Sequence, residues 1–458
     1  MQPEFAITAV GNKFVKSGRI LMEQTFAERM PKSKRRKIQA WSIVANCFGS
    51  LSEVMLDSSA ILISYVALLG GDESLNMLMA GATGFIALLL QIPSGLLVEK
   101  IGLKKSMYLS CAIGCAACLL MAGAAAMGSS AKYFVVGMCF VYCIARPIFG
   151  ATWYPIVDSF VAPSERGGYF GILRFFYTVF AGTFFFVTAR AMGEHPPVWL
   201  LQILIAVCAV LQFARAAFTY FLDLPPLEKK SEHILDSLKA ATANSCLTSF
   251  SIYMMGIAIV AFLIQPLTFV YLKQTLDHGV STVQTVATFG IAGSIAGYLI
   301  FGKLLKLLGS KRMLLTIHSA FIAIPAALFL CGENTPHLLE IVCAIIFLNC
   351  VALACFFCFA SAEMYSVSAP DNKVMSLSFF NTFFCGGRMF GGFISSALLA
   401  SGMLSAGWDK FGLSFTSIQS VFLMAAAMSC LWLVFLFIVP AVNPDRSKDY
   451  YQPPNFRA

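Results

Sequence analysis

Charge is scarce in this chain. Asp, Glu, Lys and Arg together make up 12% of its 458 residues, roughly half the share of an ordinary soluble domain. Histidine and tryptophan are rare too, five of each. The five His lie outside polar clusters, and no H-E-x-x-H, G-x-S-x-G or Cys–His arrangement occurs, which removes the common hydrolytic sites. A G-x-x-x-x-G-K-(S/T) loop is missing, so nothing points to pumping driven by ATP. No extramembrane stretch is long enough to bind nucleic acid or to house a catalytic domain. Residues 1–36 lack the apolar core and cleavage site of a secretory signal. The expectation is a protein that is not an enzyme, with no cofactor, no metal and no nucleic-acid partner.

What the chain has is apolar length. It is 58% hydrophobic with a mean hydropathy of +0.78, and a bilayer-spanning helix needs about 20 mostly apolar residues. Apolar runs against polar breaks predict twelve spans, at roughly 40–69, 75–97, 105–127, 133–157, 168–190, 198–222, 247–272, 283–303, 312–331, 338–366, 374–401 and 417–440. The implied domains are an N-terminal segment 1–36, a six-helix bundle 37–222, a linker 223–245, a second bundle 246–440 and a tail 441–458. Phe14 to Met30 reads as a weak amphipathic surface helix. Most of the 15 cysteines, including the Cys355–Cys358 pair, sit inside apolar runs as small packing residues.

Basic residues set the orientation. With the N-terminus inside, 24 of the 32 Lys and Arg fall on the cytoplasmic side, four outside and four within spans, as the positive-inside rule requires. This predicts a multi-pass cell-membrane protein, in the inner membrane if the source is bacterial, with both termini cytoplasmic. Trp41, Trp199 and Trp408 fall near span ends, where aromatic anchors sit.

One stretch organises the rest. Gly95-Leu-Leu-Val-Glu99-Lys100-Ile-Gly102-Leu-Lys104-Lys105 forms a tight basic hairpin between the second and third spans, and Gly302 to Arg312 repeats it 207 residues later. At the same offset Pro163 maps to Pro370 and Arg166 to Lys373. A repeat this long means duplicated architecture: two halves of the same inside-out sense, related by an axis along the membrane normal.

The first hairpin matches G-x-x-x-(D/E)-(R/K)-x-G-x-(R/K)-(R/K) at every position, with Gly95, Glu99, Lys100, Gly102, Lys104 and Lys105. Asp158, Pro163, Glu165, Arg166 and Gly167 form an acid-Pro-Arg-Gly close to span four, and Arg146-Pro-Ile-Phe-Gly150 an R-x-x-x-G motif inside it. With these residues the chain resembles the major facilitator superfamily over residues 38–440. The second hairpin departs from the pattern, with Lys306 and Leu307 in place of the acidic-basic pair. The resemblance implies an all-α integral membrane fold of two six-helix bundles related by pseudo-twofold symmetry. It also implies a cytoplasmic gate of the hairpin residues, Asp158 and Arg166. Glu99 would sit at the N-terminus of span eleven, and Asp158 would pair the hairpin's basic residues. Without its acid, the second copy would latch less well.

Ionisable residues inside a bilayer are functional candidates, because each costs about 2.5–3.5 kcal/mol to insert. Asn46, Ser50, Glu53 and Asp57 form one polar stripe on the first span, whereas the second half has Tyr253, Ile257, Val260 and Ile264 there. At about 1.5 Å per residue, Glu53, Arg146 and Arg388 share a level near the midplane, where such transporters bind solute. Glu53, Asp57 and Arg146 are the expected proton-coupling group, Glu53 or Asp57 being a carboxylate that communicates with Arg146. A static Glu53–Arg146 ion pair is the alternative. Arg174 and Arg215 lie shallower, within snorkelling reach of the interface. The expected substrate contacts are Asn46, Ser50, Arg174, Tyr177, Asn381 and Arg388, the arginines suiting a carboxylate or phosphate. Glu363 reads as a span-end residue. The implied function is secondary active transport of a small organic solute, proton-coupled symport of an anion being the leading version. Efflux antiport and a non-translocating sensor are the alternatives. The expected partners are the solute, a proton and the lipid bilayer, with the chain a monomer.

Overall fold

The computed structural model describes residues 26–442 apart from 57–59, 72, 193–195, 223–233, 273–275, 277–279, 334, 370–371, 401–407 and 411–412. In hydrocarbon every backbone polar group must be satisfied within the chain, so apolar runs of this length become helices. Twelve of them cross the membrane: α1 Lys32–Leu56 followed by Ala60–Leu68, α2 Glu73–Ile101, α3 Leu103–Gly123, α4 Ala131–Asp158, α5 Arg166–Met192 and α6 Val198–Tyr220 make the first bundle. The second contains α7 Ser245–Val270, α8 and α9 as residues 280–308 and 310–330 of the run Val280–Leu330, α10 Leu338–Val367, α11 Lys373–Ala400 and α12 Ser417–Ile438. A short helix, Ile234–Ala243, lies in the stretch between the bundles, and another, Phe26–Arg29, precedes α1. Residues 1–25, which hold most of the expected surface helix, lie outside the described part.

The two hairpins turn on the same device. Gly102 has φ +90° and Gly309 φ +74°, values that only glycine adopts without strain, and they stand 207 residues apart. The sequence reading leaves 401–416 as loop, but Trp408–Lys410 and Leu413–Phe415 pair as a small antiparallel ribbon, with Trp408 opposite Phe415. Phe415 stacks on Phe329 at 4.6 Å, tying the ribbon to the end of α9.

The halves meet along two seams, α2 on α11 and α5 on α8. On the hairpin side they share one apolar core that runs from Val98, Trp153 and Phe160 of the first half to Phe356, Tyr365 and Phe380 of the second. Beside the second hairpin, too, the halves come close. A Cβ on Gly302 would lie 3.1 Å from the Gly168 Cα, and one on Gly171 2.6 Å from the Tyr298 carbonyl oxygen. Backbone-to-backbone contact makes this seam, and it needs no acid.

Candidate functional site

A cavity of about 500 Å³ lies between the halves, walled by α1, α2, α4 and α5 on one side and α7, α10 and α11 on the other. Asn46, Ser50, Glu53, Arg146, Arg174, Tyr177, Asn381 and Arg388 all line it. Asp57 lies outside the described residues.

The bonded partner of Glu53 is not Arg146 but Arg215, whose Nη1 donates to Glu53 Oε1 at 2.7 Å. At the depth of Arg215 an aliphatic stem running to the nearest interface is expected. Instead Arg215 is 2% exposed. Its guanidinium lies 3.8 Å from the centre of the Phe149 ring and fills the space beside Gly49, where a Cβ would fall 1.4 Å from its Nε. Glu53 thus separates a buried cation from the cavity. Arg146, which also lines the cavity, has interactions of its own.

Arg174 does not snorkel either. It reaches across to the second half, donating to Ser361 Oγ at 2.9 Å and to the Tyr177 hydroxyl at 3.4 Å, with its guanidinium 4.9 Å from the Phe357 ring centre. The Arg388 guanidinium lies over Phe262 at 4.7 Å. Among the described residues neither arginine has a carboxylate partner.

On the hairpin side the cavity is closed. The Tyr365 hydroxyl of α10 donates to the Tyr154 carbonyl of α4 at 2.9 Å, the Tyr365 ring stacks on Phe170, and Arg166 lies 4.5 Å above that ring. Asp158 bonds Arg166 at 2.5 Å and also Lys373 of α11. The expected partners of Asp158, the basic residues of the first hairpin, are elsewhere: Lys100, Lys104 and Lys105 face solvent. Arg166 and Lys373, equivalent in the 207-residue repeat, take the carboxylate instead. Gly95 does pack on α11, against Ser378. Glu99, in the last turn of α2, is half-buried.

Glu363 lies near the end of α10, as expected, and is 3% exposed. It accepts from Ser310 at 3.2 Å and from Ser366 at 3.0 Å, all within the second half. The sequence reading also missed Lys373, Tyr365 and Ser361 as contacts between the halves and Arg215 as the partner of Glu53. For Lys373 the repeat itself was a signal, since it matches Arg166. For Arg215 the signal was Gly49, four residues before Glu53 on the same helix face.

Comparison with known proteins agrees with this architecture. The model of the Major Facilitator Superfamily matches residues 43–392. No curated protein matches the chain. Among solved structures, a bacterial homologue of the iron transporter ferroportin in its outward-facing state aligns with TM-score 0.68 at 12% identity, covering 89% of this chain and 99% of that one. The E. coli fucose:proton symporter FucP gives TM-score 0.68 at 11% identity over 88% and 99% of the two chains. The proton:xylose symporter XylE gives 0.65 at 11% over 89% and 96%. Identities this low carry the fold and nothing finer. With the family model spanning most of the chain and a cavity enclosed between two six-helix halves, the chain belongs to the major facilitator superfamily and is a transporter rather than an enzyme.

Proposed function

We propose that the chain is a secondary active transporter that moves a small organic solute by alternating access, as a proton symporter. The observation that carries this is Glu53: a carboxylate open to the central cavity and bonded on its far side to the buried Arg215. Proton binding to Glu53 removes the charge that holds Arg215, and solute binding beside it changes its surroundings, so the two events share one carboxylate. Asp57, one turn on along the same stripe, and Arg146, across the cavity, complete the coupling group. Two of the structural relatives are named as proton symporters, which supports the same reading. The relative of an iron transporter is a weaker guide, because three arginines in the lining oppose a bare metal cation.

The hairpin side is the cytoplasmic side on this reading, because basic residues crowd it. The closed contacts of Asp158, Lys373, Arg166 and Tyr365 are its gate, and the first hairpin, from Gly95 to Lys105, braces that gate on α11. The solute enters from the opposite face while these contacts hold, and leaves when they part. A monomer holds the complete pathway.

The test is uptake into proteoliposomes with and without an inward proton gradient. Wild-type uptake should rise with the gradient. A Glu53→Gln protein should lose that response while keeping exchange of solute across the membrane. Gradient-dependent uptake by Glu53→Gln at the wild-type rate would remove the proposal.

A further inference from the structure

We infer that the solute is a small dianion, gripped by one arginine from each half of the molecule; this rests on the transport reading above and narrows its cargo. Arg174 of α5 and Arg388 of α11 both lie against the ring of Phe357, at 4.9 and 6.0 Å from its centre. Those two distances together cap the separation of the guanidinium carbons at about 11 Å, a span that a four-carbon dicarboxylate bridges with a charge-assisted bond at each end. Both guanidiniums lie against aromatic rings, Phe357 and Phe262, and Arg174 keeps its Nε for a ligand, its two terminal nitrogens donating to Tyr177 and Ser361.

The charge balance of the cavity points the same way. The only carboxylate among its described lining residues, Glu53, is bonded to Arg215. Arg174 and Arg388 therefore have no counter-ion among the described residues, in a place where an uncompensated cation is costly. Hydrogen-bonding capacity adds a second, independent sign. The buried lining atoms without a partner are Arg174 Nε, Gln91 Nε2 and Asn381 Nδ2, with Gln91 3% and Asn381 8% exposed. All three are donors, and a buried donor left unmade is costly. Oxyanion groups supply both the acceptors and the charge. Because Arg174 and Arg388 belong to different halves, one bound dianion cross-links them, while the empty cavity sets two like charges against each other.

The experiment measures binding to the purified full chain with four probes: succinate, butyrate, succinamide and glycerol 3-phosphate. Succinate or glycerol 3-phosphate should bind, with butyrate and succinamide at least tenfold weaker. If succinate is the tighter, the arginines hold two ends of a dicarboxylate; if glycerol 3-phosphate is, they converge on one phosphate. Arg174→Gln and Arg388→Gln should each weaken the better dianion by about tenfold to a hundredfold. Arg174→Lys and Arg388→Lys, which keep the charge without the fork, should fall in between and report on any misfolding. Equal binding of butyrate or succinamide, no binding of any probe to folded protein, or an affinity indifferent to either arginine overturns the inference. Proton-driven uptake of a neutral or monoanionic solute by the same preparation would overturn it too, while leaving the transport reading in place.

Discussion

Gly49 of α1 and Gly256 of α7 stand at equivalent positions, 207 residues apart, and each is a notch that receives one large side chain from the last helix of its own half. In the first half the plug is Arg215 of α6, with a Cβ on Gly49 falling 1.4 Å from its Nε; in the second it is Trp432 of α12, with a Cβ on Gly256 falling 1.9 Å from the indole. The residue one turn further along follows the plug: Glu53 answers the arginine, and Val260, fully buried, stands in the equivalent place beside the tryptophan. Nearby, the second half spends its polarity on a closed neutral triad. Tyr253 bonds His318 Nδ1 at 2.5 Å, and His318 Nε2 bonds the Ser429 carbonyl at 2.8 Å, all buried. One scaffold has been filled in two ways, with a charged pair whose carboxylate faces the cavity on one side and sealed neutral packing on the other. A carboxylate kept only where the plug is charged shows that Glu53 and Arg215 form one unit.

The strongest way to break that comparison is to separate the unit. Glu53→Val leaves the Arg215 guanidinium buried without a counter-charge, and should lower stability by about 3–5 kcal/mol, read as a fall in unfolding temperature in detergent. Adding Arg215→Trp imports the second half's solution and should restore most of the loss, giving a folded protein whose uptake ignores the proton gradient. If the double variant is no more stable than the single one, the two halves do not share a plan.

Next come the notches. Gly256→Ala and Gly49→Ala should each cost on the order of 1–3 kcal/mol from overpacking. Gly256 should be the worse of the two in thermal unfolding, because a rigid indole cannot yield where a guanidinium can swing. The triad ranks third. Tyr253→Phe leaves His318 Nδ1 buried without its partner and should cost about 1–2 kcal/mol, with proton-driven uptake otherwise at the wild-type rate. A change in its proton dependence would show that the second half also takes part in coupling.

The hydropathy of the chain was enough for the twelve helices, because a bilayer leaves an apolar run of about 20 residues no other structure. The polar residues at mid-depth were enough for the cavity wall, because an uncompensated polar group there survives only beside other polar groups or ligand. Partnerships were harder to read. By depth Arg215 belonged with the interface and Arg146 with Glu53, and only the inward run of the Arg215 side chain, beside Gly49 and the Phe149 ring, decides that it meets Glu53. Asp158 presented the same difficulty: the hairpin lysines were close in sequence logic, but Lys373 was close in space. The Trp408–Phe415 ribbon is six paired residues, each strand too short for an alternating pattern to stand out from loop.

The smallest effect separates the acids near the ends of α4 and α10. Asp158 reaches across the molecule to Lys373, whereas Glu363 accepts from Ser310 and Ser366 of its own half. Lys373→Gln removes only the crossing partner, since Asp158 keeps Arg166. With the Lys373 side chain 30% exposed, the loss should be about 1 kcal/mol or less, appearing as faster hydrogen exchange at the starts of α5 and α11 when the hairpin side opens more often. Glu363→Gln should leave that opening alone, because the two serines that donate to it belong to its own half. It should instead speed exchange at the start of α9, where Ser310 loses a charged acceptor. If Glu363→Gln opens the gate as much as Lys373→Gln does, the second half contributes a lock of its own, and the asymmetry of the two notches does not extend to the gate.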